Sequence, residues 1–219
     1  MTLKKAKKLY HSALRINLMN KIRYGKYAPR YGERIWVKPH KNLKCKPILS
    51  MTDDLFERKY SGVVRKGDWD INLRNVIDYK KIQWCIQYFE DGKSWVETGA
   101  IDHGTKKIKE NGSWDGFKNE KDIIRRYQKL DGVFESIKRE GRLKTAYELG
   151  LSKTPDKEIK GVYFHVDRNG EPIFAGAGWH RLAIAIILKL PYVPAQLGVV
   201  HPEGIKQLKM LREPPQNEQ

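Results

Sequence analysis

The 219-residue chain has few cysteines and no long apolar run. Its two cysteines, Cys45 and Cys85, cannot build a disulfide framework or a four-thiolate zinc site. No stretch reaches the roughly 18 consecutive apolar residues that a membrane-spanning helix needs. The basic N-terminus also lacks the apolar run of a signal peptide. We therefore expect a cytoplasmic protein in a reducing compartment, with no spanning helix and no signal peptide.

Acidic residues are scarce in only one part of the chain. Residues 1–50 contain 14 Lys and Arg against one acid, Glu33, whereas the rest of the chain is nearly balanced with 29 basic and 25 acidic side chains. Most of the formal net charge of +17 therefore belongs to residues 1–50, which we call the basic arm. A segment of this charge favours phosphates as partners, either of nucleic acid or of an anionic lipid surface.

The basic arm combines its cations with apolar and aromatic residues. Apolar residues recur at three- and four-residue steps over residues 3–22, which predicts an amphipathic helix. Four aromatic residues then alternate with basic ones, namely Tyr24, Tyr27, Tyr31 and Trp36. Such aromatics can stack on bases while the cations contact phosphates. For residues 1–50 we expect nucleic acid as the first candidate partner and an anionic membrane surface as the second, with ordinary packing as the alternative to both.

Residues 51–118 form a segment rich in turn-forming glycines and helical patterns. Residues 76–92 have a wide apolar face and predict a helix that ends with Gly92 as its C′ residue. Nearby, Asp68 and Asp70 could share a metal ion, although such a pair more often caps a helix or belongs to a turn. We interpret residues 51–118 as an added α-rich segment.

The pattern becomes regular from residue 119 onward. Residues 119–141 predict one or two helices closed by a glycine, and residues 160–176 predict two strands joined by a hairpin turn. Residues 182–190 are apolar on every side, which predicts a buried helix, and residues 191–200 predict a final strand. We therefore expect an α/β (α+β) fold whose core, with a mixed sheet and helices, occupies residues 119–219.

The most informative motif is Phe-Ala-Gly-Ala-Gly-Trp-His-Arg, which begins at Phe174 and joins a predicted strand to the buried helix. Gly176 and Gly178 permit a tight turn, and the first N–H groups of the helix carry the positive end of its dipole. With His180 and Arg181 in the same turn, the motif predicts a phosphate pocket. The alternative is a helix start whose two side chains are only capped and solvated. The dinucleotide-binding fingerprint is excluded, because Arg181 stands where its third glycine would be.

Residues 174–194 resemble the signature of the ParB/sulfiredoxin superfamily. That signature consists of a glycine followed by any residue, then His or Arg, then Arg; an Ala-rich helix comes next, and Leu-x-x-Val-Pro closes it. The turn reads Gly-Trp-His-Arg here, Gly-Cys-His-Arg in sulfiredoxins and commonly Gly-Glu-Arg-Arg in ParB-type proteins. Residues 134–141 resemble the first ParB box, and the two boxes lie in family order within residues 125–200. The resemblance implies a small mixed sheet with helices.

The resemblance also implies a nucleotide site. Sulfiredoxin-like ATP pockets use a Lys, a Ser and a Thr on the first helix, and these align with Lys129, Gly132 and Ser136, of which only the glycine lacks suitable chemistry. The implied cofactor-binding residues are Lys129, Ser136, Gly176, Gly178, His180 and Arg181. The implied cofactors are ATP or another nucleoside triphosphate and Mg²⁺. The candidate catalytic residues are Glu135 or Glu140 as a base beside Ser136, together with His180.

Two departures from the family limit the activity that can be expected. Trp179 replaces the sulfiredoxin cysteine, so no thiol is present at the turn to reduce a sulfinic acid. The acidic residue of the ParB turn is missing, and too few residues follow the last predicted strand for a helix-turn-helix domain. We expect phosphoryl transfer from a nucleotide, as a kinase or nucleotide hydrolase. The alternatives are a DNA-binding protein or nuclease that uses the same pocket, and a module that binds nucleotides without turning them over.

Overall fold

The computed structural model describes residues 3–45 and 57–214, with side chains from residue 12 onward. In this part of the chain, six strands form one mixed sheet in the order β1-β6-β4-β5-β2-β3. The strands are β1 (Arg34–Val37), β2 (Lys44–Cys45), β3 (Arg74–Asn75), β4 (Val162–Val166), β5 (Pro172–Phe174) and β6 (Val193–Val200). Every residue of β4 and β6 is buried, so the centre of the sheet lies in the core.

The sheet mixes parallel and antiparallel pairs. The central strands β4 and β6 run parallel, and β4 forms an antiparallel hairpin with β5 in which Phe164 pairs with Phe174. On the outer sides, β1 pairs antiparallel with β6, β2 pairs parallel with β5, and β3 pairs antiparallel with β2. Together with the helices this confirms the predicted α/β class and the hairpin over residues 160–176.

Six α-helices accompany the sheet in the described residues. They are α1 (Leu3–Tyr24), α2 (Lys80–Phe89), α3 (Ala100–Asn111), α4 (Glu120–Glu140), α5 (Trp179–Ile187) and α6 (Leu208–Arg212). The helical N-terminal segment is confirmed, and residues 119–141 form one helix rather than two. The Asn119 side chain accepts a hydrogen bond from the Asp122 N–H at the start of α4, and Gly141 with φ +65° closes it.

One predicted helix is shorter than expected. Residues 76–78 form a short 3-10 turn, and α2 begins only at Lys80. The helix ends at Phe89 with Glu90 as its cap, so Gly92 is not the C′ residue. The apolar residues before position 80 belong to the core but not to the helix, which is why the apolar pattern overstated its length.

The helices pack on the sheet and on one another through apolar side chains. α5 packs against β4, α2 packs on α5, and α3 packs on α4. Residues 182–186 of α5 are all buried, as predicted from the unbroken apolar run. Each fully buried Leu or Ile contributes about 1.5–3 kcal/mol to folding. None of the helices in the described residues is both long and apolar enough to cross a membrane.

All three sequence segments contribute to the same sheet. Residues 34–75 supply β1, β2 and β3, and β1 pairs directly with the central strand β6. The acid of the basic arm, Glu33, is buried and accepts hydrogen bonds from the Arg212 Nε at 2.7 Å and the Arg30 N–H at 2.8 Å. The boundaries at residues 50 and 118 therefore mark changes in composition, while the sheet crosses both of them.

The two aspartates considered for a metal are engaged with an arginine. The Arg168 Nη2 lies 2.6 Å from Asp70 Oδ1 and 2.9 Å from Asp68 Oδ1, and the Arg168 N–H donates to Asp70 Oδ2 at 2.9 Å. These hydrogen bonds lower the pKa of Asp70 to about 2. In the described residues, no group of three or more His, Cys, Asp or Glu side chains is placed to hold a metal ion.

Replacing Asp70 with Asn is expected to lower the free energy of unfolding at pH 7 by about 2 kcal/mol, because its hydrogen-bonded partner Arg168 loses a charged acceptor. The Asp70 side chain is 1% exposed, whereas that of Asp68 is 74% exposed, so Asp68→Asn is the matched control and should cost under about 1 kcal/mol. The difference in stability between the two variants should disappear as the pH falls from about 4 towards 2, because Asp70 of the folded protein then becomes protonated. Urea unfolding at several pH values measures it, and equal losses in the two variants would contradict it.

Candidate phosphate-binding cleft

The turn between β5 and α5 is fixed by its glycines. Gly178 has φ +93°, and a Cβ there would lie only 2.9 Å from the Val162 Cα of β4. Gly176 also has a positive φ of +78°. The Tyr163 N–H donates to the Ala177 carbonyl at 3.0 Å and ties the turn to β4. The sequence therefore brings the N-terminus of α5 against the central sheet, as the motif predicted, and only glycine fits at position 178.

A cleft of about 550 Å³ lies at the N-terminus of α5. Gly178, Trp179 and His180 line it, and its charged lining residues come from four places in the chain: Lys81, Asp115, Arg126 and Arg181. Lys81 pairs with Asp115 and stands 5.2 Å above the Trp114 ring. Since Asp115 is the only acid in the described lining, three cations and the helix dipole leave the cleft positive.

His180 is neutral at pH 7. Burial lowers its pKa to about 4, with further lowering by the Arg126 and Lys81 charges. The Arg126 Nη2 lies 3.5 Å from His180 Nδ1, a long contact in which the guanidinium can only donate. This places the imidazole proton on Nε2. The sequence placed His180 in the pocket as a side chain capable of carrying a positive charge, and its lowered pKa makes it a neutral hydrogen-bonding group at pH 7.

Two polar atoms in the wall of the cleft are buried without a hydrogen bond among the described residues, namely His180 Nε2 and the Tyr127 hydroxyl. The two rings meet edge to face with centroids 5.6 Å apart. Burial raises the pKa of Tyr127, so its hydroxyl stays protonated. An unsatisfied buried polar group costs about 1–3 kcal/mol, so these two atoms call for a partner such as a water, an ion or a ligand.

Arg181 is hydrogen-bonded to the backbone of the segment that precedes β4. Its Nη2 donates to the Lys160 carbonyl, and its burial lowers the pKa of the guanidinium while the nearby Glu158 opposes that shift. Glu158 is itself 2% exposed and accepts hydrogen bonds from the Ala146 N–H. The hydrogen bond to the Lys160 carbonyl therefore limits the orientations of the Arg181 guanidinium at the cleft.

A second cavity of about 420 Å³ adjoins the first, because Val133 and Arg181 line both. Its walls are largely apolar, with Ile137, Leu143 and Leu149 among the lining residues. Its polar lining includes Lys129, Ser136, Glu140, Arg142 and Lys144. The Ser136 Oγ donates to Glu140 Oε1 at 3.3 Å, and Lys144 Nζ lies 2.9 Å from the same oxygen. These contacts, led by Lys144, lower the pKa of Glu140 and keep it ionised.

The structure brings most of the predicted site residues to these two cavities. Gly178, His180 and Arg181 line the first, and Lys129, Ser136 and Glu140 line the second with Arg181. Glu135 is exposed on α4 and lines neither of them. Gly176 shapes the turn but is likewise not a lining residue of either cavity.

Sequence reasoning missed Lys81, Arg126 and Tyr127. A signal for Arg126 existed, because Arg126, Lys129 and Val133 recur along one side of the predicted helix at three- and four-residue steps. Nothing in the sequence linked Lys81 to the motif, since the two are separated by nearly a hundred residues that carry no common pattern.

Trp179 occupies the position where the family resemblance expects a cysteine. Its ring packs 4.5 Å from the Phe174 ring and 4.9 Å from the Tyr79 ring, between centroids. The side chain therefore joins the turn to the core and also forms part of the cleft wall. Comparisons of the chain with models of protein families, with curated proteins and with solved structures gave no match.

Proposed function

We propose that the protein binds ATP or another nucleoside triphosphate and transfers its terminal phosphoryl group, as a kinase or a nucleotide hydrolase. The observation that carries this proposal is the N-terminus of α5 in a cleft with Lys81, Arg126 and Arg181. Backbone N–H groups at a helix start and converging cations are the features that bind phosphate groups. The resemblance of the same turn to ParB/sulfiredoxin-like ATP pockets supports the proposal.

The two adjoining cavities match the two halves of a nucleotide. The phosphates would occupy the positive first cavity, and the nucleoside would occupy the second, whose apolar wall suits a base. Arg181 lines both cavities and would contact the ligand where its halves meet. The ligand sites of proteins typically measure about 300–1,000 Å³, and each cavity lies within that range.

Phosphoryl transfer depends mainly on positioning and on charge neutralisation. In this proposal Lys81, Arg126 and Arg181 neutralise the phosphates, and the buried Nε2 of His180 donates to a phosphate oxygen. Mg²⁺ would enter with the phosphates, which supply most of its ligands, and Asp115 is the carboxylate of the cleft that could complete them. Glu140 would contact the nucleoside in the second cavity and Glu135 lines neither cavity, so in this placement neither glutamate would face the transferred phosphoryl group.

Replacing Arg126 with Ala is expected to weaken nucleotide binding by about 10- to 100-fold, which corresponds to about 1.5–3 kcal/mol for a lost charge-assisted contact. Arg125 is the matched control, because it is also exposed on α4 but pairs with Asp122 and lines neither cavity. Calorimetric titration with ATP and Mg²⁺ measures the affinities. Arg181→Ala should show a loss of the same order, with thermal unfolding as the check that the variant is folded.

Equal affinities for the Arg126→Ala variant and the Arg125→Ala control would refute the phosphate site. Phosphate release or phosphorylation of an acceptor measures turnover, and incubation with plasmid DNA tests the rival function. Nicking of the plasmid without nucleotide turnover would favour the nuclease. Nucleotide binding without any turnover would assign a nucleotide-sensing module that is not an enzyme.

A further inference from the structure

Two asparagines of helix α1 hydrogen-bond it to backbone groups of other segments, and Tyr24 at its end packs against the core. The Asn20 Nδ2 donates to the Pro29 carbonyl at 2.8 Å and to the Gly62 carbonyl at 2.7 Å. One turn earlier, the Asn17 Oδ1 accepts a hydrogen bond from the Tyr31 N–H at 2.7 Å. Asn20 is buried with 7% exposure, so these bonds fix which side of α1 faces inward.

Four large apolar residues of α1 lie on the solvent side. Leu14, Leu18 and Ile22 follow one another at four-residue spacing and are 48%, 62% and 71% exposed, and Met19 beside them is 40% exposed. We call these four residues the apolar stripe. A helix on a protein surface usually presents the opposite arrangement, with its apolar side inward. A continuous exposed apolar patch marks an interaction surface.

A positively charged cleft borders the apolar stripe. It measures about 500 Å³, and its lining includes Lys21, Lys26, Arg30 and Arg212. Lys21 follows Leu18 by three residues on the helix and therefore lies at the edge of the stripe. Arg30 and Arg212 pair with the buried Glu33, whereas Lys21 and Lys26 form no ion pair among the described residues. Two exposed ammonium groups thus remain available to an anion beside the stripe.

We propose that α1 docks the protein on an anionic phospholipid membrane. The apolar stripe enters the boundary between headgroups and acyl chains, and a headgroup phosphate binds at Lys21 and Lys26. An apolar stripe bordered by cations is the arrangement that binds such surfaces. Duplex DNA would use the cations but would leave the stripe exposed to water. A second copy of this chain would bring two basic arms together, each with 14 basic residues and one acid.

The test is co-sedimentation of the full chain with vesicles of phosphatidylcholine that contain about 30% phosphatidylglycerol, against vesicles of phosphatidylcholine alone. We expect binding to the anionic vesicles, part of which survives about 0.5 M salt through the apolar contact. The double variant Leu18→Ser with Ile22→Ser should bind about tenfold more weakly or worse, and should lose the salt-resistant part. Lys21→Ser with Lys26→Ser should weaken binding mainly at low salt.

Matched variants on other elements control for the loss of apolar area and of charge. Val96→Ser removes a side chain that is 62% exposed, and Lys106→Ser with Lys109→Ser removes two exposed cations of α3. Both should bind vesicles like the unchanged protein. Equal binding to neutral vesicles, or full binding by the Leu18 and Ile22 variant, would overturn the proposal. A dimer that forms without vesicles and that the same variant dissociates would assign the stripe to a second copy instead.

Discussion

Replacing Gly178 with Ala is expected to lower the free energy of unfolding by about 3 kcal/mol. The left-handed φ of +93° costs an L-residue about 1–2 kcal/mol, and forcing an additional methyl into a packed site costs about 1–3 kcal/mol. The new Cβ would lie 2.9 Å from the Val162 Cα, a backbone atom of the central strand β4 that cannot rotate away. Urea unfolding followed by tryptophan fluorescence measures the loss.

Gly132 provides the control for this substitution. It lies inside α4 in helical conformation, and a Cβ there meets nothing within 4 Å. Gly132→Ala is therefore expected to raise the free energy of unfolding by about 0.5–1 kcal/mol, because alanine favours the helix over glycine. If the two variants were equally stable, Gly178 would not be the residue that fixes the approach of α5 to β4.

The elements that the sequence predicts well depend on short-range signals. The hairpin of β4 and β5 follows from two apolar runs around a turn, and α5 follows from the apolar run of residues 182–188. β2 and β3 carry no such signal, because each has only two residues and their partners lie far away in the sequence. Their place in the sheet is set by pairing with β5 and with each other rather than by a local sequence pattern.

The candidate site likewise contains residues that a local motif identifies and residues that only tertiary packing brings to the cleft. The turn with Gly178, His180 and Arg181 could be identified from adjacent residues, whereas Lys81 and Asp115 reach the cleft only through the packing of α2 and of the segment after α3. The charge of His180 could not be predicted either. It depends on burial and on neighbouring cations, and neither can be deduced from the motif.

The basic arm shows a further limit of pattern analysis. The apolar periodicity identified α1, but it could not determine which side faces the protein. That orientation is set by the hydrogen bonds of Asn17 and Asn20 to backbone groups of other segments. Two residues of that periodic pattern, Leu14 and Leu18, are exposed to solvent.

The unchanged protein is expected to lose about 3 kcal/mol of stability between pH 6.5 and pH 4 through His180 alone. The pKa of His180 is about 4 in the folded protein against 6.5 as its ordinary value, so over this range the unfolded chain binds a proton that the folded protein does not. The contribution of neutral His180 is complete above pH 6.5 and is lost as the pH falls to 4. Burial of the imidazole is the main reason for this direction; Arg126 and Lys81 also oppose its charge, and Asp115 only partly compensates.

His180→Gln isolates this effect, because every other titrating group remains in both proteins. The difference in stability between the unchanged protein and the variant should shrink by about 1.4 kcal/mol per pH unit across that range. His40→Gln, at an exposed histidine, should show no such change.

A bound triphosphate should have the opposite effect on the pKa of His180, because its negative charge favours the protonated imidazole and raises that pKa. Nucleotide affinity should therefore increase from pH 7 to pH 5, and binding should be accompanied by uptake of a proton. Calorimetric titration in buffers of different ionisation enthalpy detects the proton uptake. If affinity were independent of pH, or if His180→Gln kept the same dependence, the phosphates would not lie beside this imidazole.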